Sequence, residues 1–360
     1  MRSRGRIRVL VIDDSPFSRQ VIAHMLEASP LVEVVGTARD GEEALRKTFE
    51  LEPDLITLDL EMPRMDGFTF LRLVMARRPT PVIVISGRGS EGDVFRALEL
   101  GAVDFLAKPT PHATPLLASI EQELIRKVHA VRELRIDKVR ERLGSLPAPG
   151  TLRPSAVPVP WRVVALGAST GGPAALLEIL GAFAAPPPLA FLVAQHMPEG
   201  FTSSFAARLD RLTTLESREA RGGEEPAPGT VLVAPGGCHL EVEVVGRRAV
   251  ARVVPAEDHD RCSPSVDRLF ESSAKAFGEE LLAVVLTGMG DDGRRGVIAV
   301  KKCGGHVIAE SEQTAVIHGM PQQAIRTGAV DQVLSLHEMA AAIQTGVGFG
   351  VQVEMRRETR

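Results

Sequence analysis

The sequence predicts an α/β protein of two domains. Short, apolar, β-branched runs alternate with amphipathic helical stretches across most of its length, which implies parallel sheets covered by helices. That alternation is interrupted once, by a charged helical stretch and then a proline-rich one containing Pro147–Ala148–Pro149–Gly150, Pro154, Pro158 and Pro160. The chain has 360 residues, 44% hydrophobic and 24% charged, enough for two cores of ordinary size. The expected division is a first domain over 1–125, a linker over 126–160, a second domain over 161–346 and a tail over 347–360.

In the first domain Val9–Ile12, Val32–Thr37, Leu55–Leu58, Pro81–Ile85 and Ala102–Phe105 read as strands. Arg19–Glu27, Glu42–Leu51, Phe68–Ala76 and Glu91–Leu100 read as the helices between them. Five such strands make a doubly wound parallel sheet, whose site lies beyond the carboxyl ends of the strands. Asp13 and Asp14 follow the first strand, Asp59 the third, Ser86 the fourth and Lys108 the fifth. An acidic residue ending a strand is often only a cap or turn former, but five chemically matched residues at four strand ends are harder to explain that way. Three carboxylates in one crevice repel one another unless a cation sits among them, and oxygen ligands suit Mg²⁺. Lys108 adds a positive charge for a phosphoryl group and Ser86 a hydroxyl that can bond one.

These residues, with Asp66–Gly67 and Lys108–Pro109, resemble the flavodoxin-like receiver domain of two-component response regulators. The resemblance implies that Asp59 accepts a phosphoryl group from a histidine kinase, with Mg²⁺ held by Asp13, Asp14 and Asp59. It also implies that Ser86, Phe105 and Lys108 form the switch that responds.

Composition excludes several functions. A formal net charge of −4 leaves no electrostatic footprint for nucleic acid. No apolar run approaches the roughly 20 residues of a membrane span, and Val9–Ile12 is cut off by Asp13–Asp14, too soon for a signal peptide. Cys238, Cys262 and Cys303 fit no disulfide or metal spacing, which points to a reducing compartment. The expected location is the cytoplasm, without membrane insertion.

The second domain opens on the strand Val163–Ala168, which runs into Ser169–Thr170–Gly171–Gly172–Pro173 and then a helix. Pro fits the first helical turn, where its missing N–H costs nothing. Ser169 thus sits on a strand-to-helix turn, near N–H groups suited to negative charge. Gly167-x-Ser169-x-Gly171 matches the pattern of an exposed nucleophilic serine. A dinucleotide-binding turn and a turn without chemistry are the competing readings at this point.

The next strand, Leu189–Ala194, ends at Gln195–His196–Met197–Pro198 and lacks the acidic residue that a dinucleotide's ribose needs. Val231–Val233 and the stretch from Val242 to Val254 around Gly246 alternate as strands, the latter as an antiparallel hairpin. Ser263–Asp267 reads as a helix start, leading into Leu269–Phe277. Leu281–Leu286 is a buried strand ending at Thr287–Gly288–Met289–Gly290–Asp291–Asp292–Gly293. Val297–Lys302, His306–Ala309, Pro321–Thr327 and Glu338–Ile343 add a further α/β layer. The second domain is therefore doubly wound and mostly parallel.

Serine, histidine and aspartate at three strand ends suit acyl transfer. A base must take the serine's proton, imidazole titrates in the right range, and a carboxylate orients and stabilises it. The order Ser169, His196, Asp292 differs from that of α/β-hydrolases.

The motifs around Ser169, His196 and Met289, with Ala234–Pro235–Gly236–Gly237, His239, Val316 and Gly319–Met320–Pro321, resemble the chemotaxis protein-glutamate methylesterases. Those enzymes also carry a receiver domain in front. The resemblance implies that Ser169 is the nucleophile, His196 the base and Asp292 the carboxylate, with Thr170 and Met289 in supporting or oxyanion-hole roles. Asp291 is a rival to Asp292. The implied activity is hydrolysis of glutamate γ-methyl esters on methylated chemoreceptors, with deamidation of receptor glutamines, and no cofactor for the esterase step. The unphosphorylated receiver would cover Ser169, and phosphorylation of Asp59 would favour an open arrangement. A non-catalytic receptor-binding adaptor and the same esterase in a pathway other than motility are the alternatives.

Overall fold

The computed structural model describes residues 5–87, 91–108, 114–132, 134, 136–139, 152, 159, 161–257 and 259–345, with Glu91 and 114–119 by backbone alone. The chain forms two compact units, Met1–Ser145 and Leu146–Arg360.

The first unit is a five-stranded parallel sheet. Its strands are β1 (Ile7–Ile12), β2 (Val32–Ala38), β3 (Leu55–Leu58), β4 (Val82–Ser86) and β5 (Asp104–Ala107). They lie in the order β2-β1-β3-β4-β5. Helices α1 (Pro16–Glu27), α2 (Gly41–Leu51), α3 (Gly67–Arg77), α4 (Glu91–Glu99) and α5 (Thr114–Ala130) connect and cover them. Val9, Leu10, Val11, Leu55, Ile56 and Val84 are buried, as strands covered on both faces require. Three helices start on side-chain caps: Ser15 accepts from Ser18 N, Asp40 from Glu43 N and Asp66 from Thr69 N. Gly67 is needed where α3 leaves β3, because a Cβ there would come 2.5 Å from the Asp59 carbonyl oxygen.

The helical start of the stretch assigned to the linker, 126–130, continues α5 and packs on the first unit. Leu124 and Val128 are buried, Lys127 Nζ lies 2.8 Å from an Asp104 carboxylate oxygen, and the His129 ring is 2.9 Å from Ser29 Oγ. The charged helical stretch expected ahead of the prolines breaks after Ala130 into a turn at Val131–Arg132, and 136–139 are again helical. The proline-rich stretch, Pro109 and Arg88–Ser90 lie outside the described residues, apart from isolated positions.

The second unit is built on a seven-stranded parallel sheet. Its strands are β6 (Val163–Ala168), β7 (Ala190–Gln195), β8 (Glu216–Glu219), β9 (Thr230–Val233), β12 (Leu281–Val285), β13 (His306–Glu310) and β14 (Gln332–Leu334). The order is β14-β13-β12-β6-β7-β9-β8, so the direction of winding reverses at β6, between β12 and β7. A separate antiparallel pair, β10 (Cys238–Val245) and β11 (Arg248–Pro255), forms the hairpin expected around Gly246. The helices are α6 (Gly172–Gly181), α7 (Phe201–Leu212), α8 (Val266–Phe277), α9 (Arg294–Lys302), α10 (Gly319–Arg326) and α11 (Leu336–Thr345). Leu166, Phe191, Leu192, Val284, Phe270 and Ile308 are fully buried in its core. No helix among the described residues is long and apolar enough to cross a membrane.

Candidate active site and phosphorylation pocket

In the first unit the strand ends converge as the doubly wound sheet dictates. Ligand oxygens of Asp13, Asp14 and Asp59 lie within 4.8 Å of one another. Asp13 and Asp59 are buried and Asp14 is exposed. Lys108 Nζ stands 2.9 Å from Asp13 Oδ2 and 2.8 Å from Asp59 Oδ2. The first contact leaves Asp13 Oδ2 buried without a hydrogen bond. Burial above all, together with the Asp59 charge, raises the Asp13 pKa against the pull of Lys108. Burial depresses the Lys108 pKa, but the hydrogen bond to Asp59 and the charges of Asp59 and Asp13 outweigh it and the net shift is upward.

A crowded set of hard oxygen donors with one buried oxygen unsatisfied is a fit for Mg²⁺, held by Asp13, Asp14 and Asp59. Ser86 is buried at the end of β4, and its carbonyl accepts from Lys108 N at 2.7 Å. Phe105 is buried, edge-on to Phe95 with centroids 6.4 Å apart.

In the second unit the three chemistry-bearing turns leave adjacent strands, β12, β6 and β7, at the winding reversal. Open α/β sheets place their sites at that point. Ser169 follows β6 and is half-buried. Its N–H donates to the Thr287 carbonyl at 3.0 Å, and its carbonyl accepts from Gly172 N at 2.8 Å. Gly171 has φ +78°, and α6 starts one residue later. Thr170 is buried; its carbonyl accepts from Thr287 Oγ1 at 3.0 Å. Among the described residues the Met289 N–H has no partner. Met289 follows Gly288, where a Cβ would come 2.7 Å from Ser169 Cβ. A free backbone donor thus stands beside the serine turn.

His196 follows β7, and its N–H donates to the Ala168 carbonyl at 3.0 Å. Its Nε2 lies 2.8 Å from Asp292 Oδ2. An ionised carboxylate only accepts, so Nε2 carries the proton and Nδ1 is the nitrogen left to act as a base. Asp292 is held by Val266 N at 2.8 Å, Asp267 N at 2.8 Å, Ser265 Oγ at 3.1 Å and Gly293 N at 3.1 Å. These are largely the orphan donors at the start of α8, which stabilise a carboxylate. Burial works to raise the Asp292 pKa, but the His196 ring and these N–H groups outweigh it and hold it below the usual range.

The His196 pKa is pushed up: burial works downward, and Cys262 and Asp292 overcome it. The pocket therefore stabilises the imidazolium, the form produced when the ring takes a proton. Asp291 is exposed, and the His196 ring pairs with Asp292 instead. Ser169 Oγ makes no hydrogen bond among the described residues, so the serine and the imidazole are neighbours but not yet bonded.

Several site residues escaped the sequence reading. Gln195 is buried, and its Nε2 donates to the carbonyls of Ser169 at 2.9 Å and His196 at 3.0 Å, tying the two turns together. Gly172 is required beside it, since a Cβ there would overlap Gln195 Oε1. The Thr287 hydroxyl accepts from Ile317 N at 3.0 Å, and its backbone N–H donates to the buried Glu310 at 2.7 Å. Buried His239 donates from Nε2 to Asp260 at 2.8 Å and accepts from Ser265 N at 3.0 Å through Nδ1. Cys262, expected to be outside any metal-type cluster, lies with His196 and Asp292 so that one ligand atom of each is within 4.8 Å of the others. Sequence spacing could not show that cluster, because its members come from three separate turns.

A carboxylate pocket on a receiver-type sheet, followed by an α/β domain with serine, histidine and aspartate at adjacent strand ends, defines a response-regulator hydrolase. Residues 164–343 match the CheB methylesterase model and 9–121 the response regulator receiver domain model. The chain is 51% identical to protein-glutamate methylesterase/protein-glutamine glutaminase 3 of Geobacter sulfurreducens, covering 94% of this chain and 96% of that one. It is 48% identical to protein-glutamate methylesterase/protein-glutamine glutaminase 1 of Myxococcus xanthus, over 95% and 98%. It is also similar to the crystal structure of the Thermotoga maritima CheB methylesterase catalytic domain, with 38% identity, 51% and 97% coverage and a TM-score of 0.48. The chain belongs to the CheB methylesterase family, with a receiver domain ahead of its catalytic domain.

Proposed function

We propose that the chain is a phosphorylation-controlled serine esterase that hydrolyses glutamate γ-methyl esters on chemoreceptors and deamidates receptor glutamines. The observation that carries this reading is the 2.8 Å His196–Asp292 pair, one strand over from Ser169 in the sheet. Ser169 Oγ adds to the ester carbonyl carbon as His196 Nδ1 takes its proton. The Met289 N–H, with Thr170, stabilises the developing oxyanion, a contribution of roughly 3–4 kcal/mol per donor in other acyl-transfer sites. The imidazolium, stabilised by Asp292, returns the proton to the leaving methoxide and methanol departs. Water, deprotonated by the same ring, then cleaves the acyl-serine to give the glutamate carboxylate and restore Ser169. With a glutamine the leaving group is ammonia.

In the receiver, Asp59 takes the phosphoryl group from a histidine kinase, and Lys108 and Ser86 bind its oxygens. Asp13, Asp14 and Asp59 would hold Mg²⁺, which would supply charge neutralisation for that transfer. Phosphorylation of Asp59 raises turnover at Ser169.

A serine-directed acylating reagent separates the esterase from a receptor-binding adaptor. Selective labelling of Ser169, lost in His196→Ala, is expected. Labelling no faster than that of the other serines would favour the adaptor.

A further inference from the structure

Cys262 has no part in the ester chemistry, yet its sulfur shares a cluster with the base and its carboxylate. The three residues are each half-buried and offer one imidazole nitrogen, one thiol sulfur and one carboxylate oxygen, all within 4.8 Å of one another. We infer that His196, Cys262 and Asp292 form a Zn²⁺ site whose occupation shuts off the esterase.

The donor set is chemically selective. Nitrogen, sulfur and oxygen from three side chains leave a fourth, open position on a tetrahedral zinc ion, whereas Mg²⁺ rejects a thiolate. Bond lengths of about 2.0–2.3 Å need donor atoms roughly 3.2–3.8 Å apart. The 2.8 Å His196–Asp292 contact therefore has to open slightly, within a cluster whose three ligand atoms already lie within 4.8 Å of one another.

The surroundings are built for ligation. Asp292 is fixed by three backbone N–H groups and the Ser265 hydroxyl, the outer support that metal-bound carboxylates use. The segment carrying Cys262 is pinned on both sides. Asp260 accepts from Glu257 N and His239, and Arg268 Nη1 lies 3.6 Å from it; Ser265 N donates to His239.

Binding releases the thiol proton, and any proton on the ring nitrogen that ligates, to solvent, leaving thiolate and neutral imidazole on zinc; it takes up the lone pair or the carboxylate contact that His196 needs as a base. The inhibition rests on the catalytic reading of Ser169, His196 and Asp292. The metal site itself does not.

The test uses the full chain with excess Mg²⁺ to fill the receiver's oxygen site, and Co²⁺ as the spectroscopic probe. The expected result is one Co²⁺ per chain with a sulfur-to-cobalt charge-transfer band, displaced by Zn²⁺ and lost in Cys262→Ser. Zn²⁺ is also expected to slow alkylation of Cys262, and Asp292→Asn to weaken that protection at least about tenfold. Methyl-ester hydrolysis by the unaltered chain falls as Zn²⁺ fills the site and recovers with a chelator. A cobalt complex without the sulfur band, or a band that survives Cys262→Ser, overturns the site. A zinc-loaded chain with full esterase activity overturns the inhibition and leaves the metal site standing.

Discussion

Asp292 and Asp291 are neighbours of the same residue type, and only their surroundings separate them. Asp292 meets the N-terminus of α8 and the His196 ring, whereas Asp291 is exposed. Asp292→Asn is expected to lower the rate of ester hydrolysis by about 10³–10⁴, the scale seen when a triad carboxylate becomes an amide. Asp291→Asn is expected to stay within a few-fold. Steady-state methanol release from both variants checks the pair, and equal losses would contradict the assignment. Asp40 illustrates the same dependence on context in the first unit. Burial raises its pKa, but the Glu43 N–H and the Arg64 guanidinium outweigh burial and hold it below the ordinary 3.8. A depressed folded-state pKa contributes stability above the unfolded value and loses it as pH falls through the folded one. Asp40→Asn keeps a cap acceptor but removes the charge. Its stability deficit in urea unfolding should be present at pH 7 and close as pH drops below about 4. A deficit independent of pH would contradict this account.

At the scale of elements, the catalytic geometry depends on turns packed too tightly for side chains. Gly288 faces Ser169 Cβ on one side and the Met320 sulfur on the other. The sulfur can move, but the serine turn cannot yield without shifting β6 against β12. Gly288→Ala is therefore expected to lower kcat by at least about tenfold while the fold survives, as read by methanol release alongside thermal unfolding. Wild-type kcat in that variant would show that the close approach is dispensable. Elements of this kind also mark what the sequence disclosed. The central strands β1, β3, β6, β7 and β12 are continuous apolar runs, legible because both faces are buried. The edge strand β8, Glu-Ser-Arg-Glu, buries little, and β14 has three residues, so neither carries an apolar signature. The end of α5 looked like linker because its surface is charged, although Leu124 and Val128 pack inward. Ser169, His196 and Asp292 stood out because each ends a legible strand. Gln195, Thr287 and Cys262 did not, since their contacts arise only when separate turns meet.

For the whole molecule the central claim is that a phosphoryl group on Asp59 governs ester hydrolysis at Ser169. Tenfold activation requires only about 1.4 kcal/mol of differential stability between the less and the more active states, within the ordinary range of coupling between sites. The two sites contribute separately to that claim. Ser169→Ala removes the chemistry, whereas Asp59→Ala removes the response to phosphorylation. The most direct measurement is methanol release from a methylated chemoreceptor fragment by the full chain, with and without a small-molecule phosphodonor and Mg²⁺. The expected result is stimulation of the unaltered chain, no stimulation of Asp59→Ala, and no methanol from Ser169→Ala under either condition. Undiminished methanol release by Ser169→Ala, or equal stimulation of Asp59→Ala and the unaltered chain, would contradict the account.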